Sequence, residues 1–240
     1  MRTTPLASLI ALSLALAAGP ALAQQNVDKV FGGITAQSGQ EYGSLESVNG
    51  GITVREGAVV RAAETVNGGI SIADRARVGS AETVNGGINV GDQAEVGSLE
   101  TVNGGISLAE GAIVERDVST VNGGIRGRQG VQVGGNVETV NGGLKFEGAA
   151  IAGGLSTTNG DITLDDTRVR GGILVEKPSM GWFNSGKNRD PRVVIGPGSV
   201  VEGSLVFERE VELFVHTTAK IGPVTGATAR AYTDKLPPRD

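Results

Sequence analysis

One five-residue phrase recurs seven times along this 240-residue chain. It first occurs as Val-Asn-Gly-Gly-Ile at residues 48–52, and its asparagine then returns every 18 or 19 residues. A short fixed period indicates a structural coil repeated along an axis, in which no single coil can bury its own apolar face and neighbouring coils must stack. The seven asparagines are Asn49, Asn67, Asn85, Asn103, Asn122, Asn141 and Asn159.

Within each period the apolar residues are spaced by two, as they are in a half-buried strand. One representative coil places apolar side chains at Ile70, Ile72, Ala76, Val78, Ala81 and, at the start of the next phrase, Val84. Glycine, aspartate and serine interrupt this alternation about every six residues, which is typical of tight bends between short strands. The sequence therefore predicts an all-β, single-stranded parallel β-solenoid (β-helix) with about 18–19 residues and three short strands per rung.

The repeated phrase has a structural explanation as the corner of each rung. Asparagine and glycine tolerate positive φ, which sharp bends require, and glycine also allows adjacent rungs to approach closely. Asparagine side chains that are stacked along an axis can hydrogen-bond up and down the column. We therefore predict that the seven asparagines form a structural turn ladder.

The first 23 residues predict a cleaved secretory signal peptide. Arg2 precedes an apolar run that is too short to span a bilayer, and a small-x-small site ends at Ala23. Cleavage after Ala23 would place the protein in the periplasm or outside the cell. No later stretch is apolar enough to predict a transmembrane segment.

The remaining chain divides by how well it keeps the repeat. Residues 24–43 are predicted to form an N-terminal cap, residues 44–176 the β-solenoid repeats, and residues 193–227 further C-terminal rungs. Between these rungs, residues 177–192 are predicted to form a projecting loop. Its Trp182 and Phe183 either anchor a partner or cover the side of the rod. Residues 228–240 are polar and proline-rich, and they predict a flexible tail.

Composition excludes several kinds of chemistry. The chain has no cysteine and one histidine, so it predicts no His/Cys metal cluster and no cofactor. Its net charge of −5 with scattered lysine and arginine argues against nucleic acid as a partner. His216 is interpreted as an exposed strand residue rather than a catalytic base. Residues 181–188 approach a phosphate-binding loop, but Asn188 replaces the required serine or threonine, so a surface loop is the better interpretation.

Two polar columns precede the valine of each phrase. Stacked carboxylates about 5 Å apart repel one another, so the acidic column suggests either cation binding or simple solvation. The hydroxyl column suggests either an ice-binding ladder or β-propensity on an exposed face. The acidic column and its breaks are Glu46, Glu64, Glu82, Glu100, Ser119, Glu138 and Ser156. The hydroxyl column is Ser47, Thr65, Thr83, Thr101, Thr120, Thr139 and Thr157.

Two stretches resemble known families. The repeated VNGGI phrase and the TNGDI phrase at residues 158–162 resemble the bacterial adhesin-type family of β-solenoid domains, over about residues 44–176. The stretch VIGPGSVVEGS at residues 194–204 is similar to a rung of the bactofilin-type polymer-forming proteins. These resemblances imply a solenoid fold, with an adhesin-like or a polymer-forming role.

The sequence thus predicts an exported, non-enzymatic solenoid with a structural or adhesin-like role. Its expected partners are further copies of itself, another protein or a cell-surface polysaccharide. Two alternatives stay open, a bactofilin-like polymer-forming scaffold and a carbohydrate-active or carbohydrate-binding solenoid. For the carbohydrate alternative, Asp161, Asp165 and Asp166 in the least regular rung are the residues to consider.

Overall fold

The chain forms a parallel β-solenoid, as the repeat predicts. The computed structural model describes residues 25–178 and 189–237, and these contain 28 strands and no helix. Every strand pairing is parallel, and each strand lies beside the strand at the same place in the next rung. The phrase stays in register throughout, since Asn49 pairs with Asn67 and Asn85 pairs with Asn103.

One face of the rod is a sheet of eleven short strands, and each strand begins just after a corner of the rung. At the usual spacing of about 4.8 Å between strands, eleven strands span about 48 Å. Its strands are β2 (Ile34–Ala36), β4 (Ile52–Val54), β6 (Ile70–Ile72), β8 (Ile88–Val90), β10 (Ile106–Leu108), β13 (Ile125–Gly127), β16 (Leu144–Glu147), β19 (Ile162–Asp165), β22 (Arg192–Ile195), β25 (Glu212–His216) and β28 (Arg230–Tyr232).

The other two faces form a continuous 17-stranded sheet. In the early rungs one nine-residue strand bends across both faces, and in later rungs it divides into two short strands. The long strands, with the first strand of the rod, are β1 (Gln25–Phe31), β3 (Glu41–Asn49), β5 (Val59–Asn67), β7 (Arg77–Asn85) and β9 (Glu95–Asn103). The short strands come in pairs: β11 (Ile113–Val114) and β12 (Val118–Asn122), β14 (Gln132–Val133) and β15 (Val137–Thr139), β17 (Ala150–Ile151) and β18 (Leu155–Thr157), β20 (Arg168–Val169) and β21 (Ile173–Val175), β23 (Val200–Val201) and β24 (Leu205–Phe207), and β26 (Lys220–Ile221) and β27 (Val224–Thr225).

The main core is a narrow column of mostly small and branched side chains, and Val194, Phe214 and Tyr232 form a separate buried cluster. In the rung that begins with β6, the inward residues are Ile70, Ile72, Ala76, Val78 and Ala81, and all are at most 3% exposed. A fully buried isoleucine or leucine contributes about 2 kcal/mol through the hydrophobic effect. Repetition of this set stabilises the rod without disulfides, because the chain has no cysteine.

The valine of the repeated phrase is not part of this core. Val66 and Val84 are 42% and 40% exposed, and Thr83, which precedes Val84, is buried instead. Strict alternation from Ala81 points Thr83 inward and Val84 outward. Val84, which the sequence pattern groups with the apolar residues of the coil, therefore points away from the core, because the strand period rather than hydrophobicity decides its side.

The C-terminal boundary also differs from the prediction. The flexible tail was predicted from residue 228, but β28 pairs in parallel with β25 and Tyr232 is only 6% exposed. The rod therefore continues to Tyr232. At the other end, residues 25–43 contribute β1 and β2, which pair with β3 and β4.

Candidate functional site

The repeated corner carries a continuous ladder of asparagine amides. Each Asn Nδ2 donates to the Oδ1 of the asparagine one rung earlier, with donor–acceptor distances of 2.9 Å from Asn67 to Asn159. Aligned amides polarise one another, so a chain of such hydrogen bonds is stronger than the same bonds apart. The corner places these side chains outside the core, where they join seven rungs.

A guanidinium terminates the ladder at its last acceptor. Among the described residues no later asparagine bonds Asn159 Oδ1, and Arg209 Nη1 donates to it at 2.8 Å and to the carbonyl oxygen of Thr158 at 3.2 Å. The partial negative charge at the acceptor end therefore faces a cation. Sequence reasoning missed Arg209 because it lies 50 residues from Asn159 and outside the repeat.

The hydroxyl column lies inside the corner and not on the exposed face that the sequence suggested. Its members are at most 5% exposed, from Ser47 to Thr157. Each hydroxyl donates to the carbonyl of a glycine one rung earlier, as Thr101 Oγ1 does to Gly86 at 2.8 Å. An ice-binding ladder needs an exposed array, so that hypothesis is wrong, as is the alternative of an exposed face. The column instead satisfies corner carbonyls that the glycine turn leaves available.

The first glycine of the phrase is required by contact between rungs. A Cβ atom on Gly104 would lie 1.9 Å from the carbonyl oxygen of Gly86, and one on Gly86 would lie 2.0 Å from that of Gly68. Neither glycine is among those with positive φ. The phrase therefore requires glycine because adjacent rungs approach closely at the corner, and not because the corner needs a positive φ.

In the strand that leads into the corner, the valine of the phrase and the acid two residues before it both point outward, and their columns form a groove. One wall is the valine column, Val30, Val48, Val66, Val84 and Val102. The other wall is the acidic column with its first member, Asp28, Glu46, Glu64, Glu82 and Glu100. Asp28 joins this column because β1 pairs it with Glu46. The valine–glutamate groove has a volume of about 480 Å³ and runs across five rungs.

The acids of the groove lack the partners that other acids on the rod have. Glu95 pairs with Arg77 at 2.9 Å, Glu147 with Lys145 at 2.6 Å and Glu202 with Arg168 at 3.0 Å. No acid of the groove forms an ion pair with any residue in the described ranges. Partial burial, and then the charges of Glu64 and Glu100, raise the pKa of Glu82. In the same ranges, no three acids or histidines converge in a way that could hold a metal ion.

His216 is buried and not the exposed strand residue that the sequence suggested, since it is only 8% exposed. Its Nε2 lies 3.1 Å from the carbonyl oxygen of Thr233, so this nitrogen carries the proton and donates it. Nδ1 accepts from the backbone N–H of Thr218 at 3.2 Å. The ring also packs edge-on against Tyr232, with centroids 5.1 Å apart. His216 therefore attaches the last rung to the one before it, and burial raises the pKa of Tyr232.

Of the three aspartates that the sequence offers for carbohydrate chemistry, Asp161 has structural contacts and Asp165 lies beside Glu147 of the neighbouring strand. Asp161 accepts from the backbone N–H of Arg192 at 2.8 Å and from the guanidinium of Arg189 at 2.5 Å. It thereby holds the chain where it returns to the rod at β22. Asp166 occupies a corner with a φ of 45°. Trp182, Phe183 and the loop at 181–188 lie outside the described residues.

Comparisons with family models, with curated proteins and with solved structures found no match to this chain. The part of the chain that the structure describes contains no helix long and apolar enough to cross a membrane. The candidate site is the valine–glutamate groove on the side of a regular rod.

Proposed function

We propose that the protein is an exported, non-enzymatic scaffold, a rod that associates end to end with further copies and presents its sides for adhesin-like contacts. The observation that carries this proposal is the strand edge at each end of the rod, which no other strand of the described ranges pairs. Unpaired parallel strands are templates for the addition of another strand. Repeat proteins of this kind need caps to prevent such growth.

The N-terminal edge is formed by β1 and β2. Within the described ranges, β1 pairs only with β3, and β2 pairs only with β4. Ile34 N–H donates to Gly51, and the carbonyl of Ala36 accepts from Arg55, both on the side of the next rung. Because alternate residues of a parallel strand bond to opposite sides, the N–H and C=O of Thr35 face the free edge.

The C-terminal edge is formed by β26, β27 and β28. Among described residues they pair only with β23, β24 and β25, respectively. Every ladder in the rod is parallel, so the C-terminal edge of one copy has the strand direction needed to continue into the N-terminal edge of the next. Head-to-tail addition would extend the same geometry, with the core column running from one copy to the next.

End-to-end growth is tested by a single change at the free edge. Thr35→Pro removes an N–H that faces away from the rod, and proline is tolerated at such edge positions. Thr35→Val keeps that N–H and is the matched control. We expect the chain beginning at Gln24, with or without Thr35→Val, to form linear assemblies by light scattering and electron microscopy, and Thr35→Pro to shorten them. A monodisperse monomer for the unchanged chain would contradict the proposal.

Export is tested separately. The proposed signal peptide at residues 1–23 lies outside the described residues, so this part of the proposal depends on the sequence alone. Expression of the full chain in a bacterial host, followed by fractionation and N-terminal sequencing, should recover a periplasmic or secreted product that begins at Gln24. A cytoplasmic product that begins at Met1 would overturn the export proposal without affecting the test of assembly.

A further inference from the structure

We propose that the valine–glutamate groove binds a basic polypeptide segment in which lysine or arginine residues alternate with apolar residues. This inference goes beyond the proposed scaffold role and does not depend on it, because the groove lies on the side of the rod and is present in a single copy.

The apolar wall of the groove is unusual for the exterior of this protein. Among described residues, eight large apolar side chains are exposed, and six of them belong to the valine column or its continuation at Val121 and Val140. The outward residues of the eleven-stranded sheet in the same rungs are polar, at Thr53, Ser71 and Asn89. A contiguous apolar stripe with polar borders is typical of an interaction surface.

The acidic wall determines the charge of the occupant. Its five carboxylates are stacked in register along parallel strands, so the distance between neighbours is about 5 Å. The cation that lines the groove, Lys29, donates to the carbonyl oxygen of Gly33 at 2.9 Å. A cationic ligand would therefore relieve the repulsion between the carboxylates of this wall.

The two walls together favour a polypeptide over simpler ligands. A metal ion would neutralise the carboxylates and leave the valines exposed, and an anionic lipid surface would be repelled. A second copy would bring its own acidic column into the same interface, since a two-fold pairing uses the same patch twice. An extended basic strand has side chains that alternate between its two sides, which supplies one row for each wall.

The length of the groove sets the length of the segment. Five rungs at about 4.8 Å give a groove about 19 Å long, and an extended chain rises about 3.3 Å per residue. About six residues therefore fit, with three facing the valines and three facing the carboxylates. Exposed ion pairs are individually weak, so the affinity depends on the two rows acting together.

The probe for this proposal is a fluorescent hexapeptide of alternating lysine and valine, titrated against the purified full chain by anisotropy. Two peptides serve as controls: alternating glutamate and valine reverses the charge, and alternating lysine and serine removes the apolar row. We expect the lysine–valine peptide to bind, with an affinity that falls as salt increases. The lysine–serine peptide should bind at least about tenfold more weakly, a difference of about 1.4 kcal/mol, and the glutamate–valine peptide should not bind.

Two triple variants test the walls, and one double variant controls for position. E64Q/E82Q/E100Q removes the charge, and V66T/V84T/V102T removes apolar contact from side chains outside the core. E138Q/V140T makes the same two changes beyond the groove. Each triple variant should lower the affinity at least about tenfold, and the double variant should leave it within about twofold. Melting curves should show that all three variants are folded.

Several results would overturn the proposal. One is the absence of binding by the lysine–valine peptide. Equal binding by a folded triple variant would show that the groove is not the site, and equal binding by the lysine–serine peptide would show that the attraction is non-specific. A dimer that V66T/V84T/V102T disperses would show that a second copy occupies the groove instead.

Discussion

Two corners of the rung use glycine for different reasons, and they differ in how much substitution they tolerate. At the asparagine corner the first glycine is present in every phrase, from Gly50 to Gly160. At the following corner, just before the second face, the equivalent residue is glycine at Gly57, Gly111 and Gly130 but Arg75 and Gln93 in the rungs between.

The difference follows from the physical constraint at each corner. At the asparagine corner a Cβ atom would enter the backbone of the neighbouring rung, which cannot move without breaking the stack. At the other corner the requirement is a φ near 60°, and a Cβ atom on Gly57 would meet nothing within 4 Å. A non-glycine residue with positive φ costs about 1 kcal/mol, which the burial of the rung's apolar residues can offset. The repeat therefore requires glycine where adjacent rungs touch, and it admits other residues where only the backbone torsion φ is constrained.

The largest expected effect comes from adding one methyl group at each corner. Gly104→Ala should lower the free energy of unfolding by about 3 kcal/mol or more, because its Cβ would lie 1.9 Å from the carbonyl oxygen of Gly86. Gly111→Ala, where φ is 66°, should cost only about 1 kcal/mol. Urea denaturation followed by circular dichroism measures both, and equal losses would remove the distinction between the corners.

The buried hydroxyl at the asparagine corner gives the next largest effect. Thr101→Val keeps the side-chain shape but leaves the carbonyl of Gly86 without the hydroxyl that bonds it, at a cost of about 1–2 kcal/mol. The matched control is Val84→Thr on the outer side of the neighbouring strand β7, which should change stability by less than about 0.5 kcal/mol. If both changes had the same effect, the hydroxyl column would have no structural role at the corner.

The amide ladder should be worth less, because it is exposed. Asn103→Leu removes the hydrogen bonds to Asn85 and Asn122 and should cost about 1 kcal/mol in urea denaturation. Asn89→Leu is the control, since Asn89 is an exposed residue of the eleven-stranded sheet outside the amide ladder. An unchanged stability for Asn103→Leu would mean that the amide hydrogen bonds do not stabilise the rod.

The second corner also allows the opposite test, in which a residue with positive φ is replaced by glycine. Gln93 has a φ of 55°, so Gln93→Gly relieves backbone strain while it adds freedom to the unfolded chain. The second term offsets part of the first, and we expect a net gain of about 0.5 kcal/mol in the free energy of unfolding. Gln132→Gly, in strand β14, has no such strain to relieve and should be destabilising. A loss of stability at Gln93 would show that its side chain contributes more than its strained backbone costs.

The smallest expected effect concerns the acidic column, in which stacked carboxylates of like charge repel one another. Burial and the neighbouring carboxylates raise the pKa of Glu82 above 4.5, so its ionised form lowers stability above the folded-state pKa. This penalty is relieved as the pH falls through that value. Glu82→Gln should therefore raise the melting temperature slightly at pH 7 and leave it unchanged near pH 3.

Glu147 is the control of opposite sign for this charge effect. The hydrogen bond and the charge of Lys145 lower the pKa of Glu147, so its stabilising contribution is present above 4.5 and is lost as the pH falls through the folded-state value. Glu147→Gln should slightly lower the melting temperature at pH 7. A decrease for Glu82→Gln at the same pH would mean that the acidic column is not repulsive.

Much of the fold was predictable because it depends on local spacing. The period of 18 or 19 residues, the alternation by two and the stacking of rungs all follow from which positions repeat, and the eleven-stranded sheet agrees with them. The seven amides were likewise predictable, since an asparagine that recurs at a corner must meet its copy in the next rung.

The errors came from residues whose environment depends on distant parts of the chain. Nothing local to His216 indicates that Tyr232 lies beside it, because the strand that carries Tyr232 falls in a stretch rich in polar residues and proline. Arg209 reaches Asn159 across a segment that does not repeat. The inward threonines could have been found by continuing the alternation from Ala81, and hydrophobicity at Val84 obscured them.

The sequence by itself determined that this protein is a stack of similar coils, because identical residues at a fixed period have no other way to bury their apolar faces. Only the tertiary structure decided which side of each corner is inside. It turned the threonines towards the glycine carbonyls and the valines towards solvent beside the glutamates. A strand has two faces, and the choice between them is made by the register and bending of the whole rung rather than by the polarity of one residue.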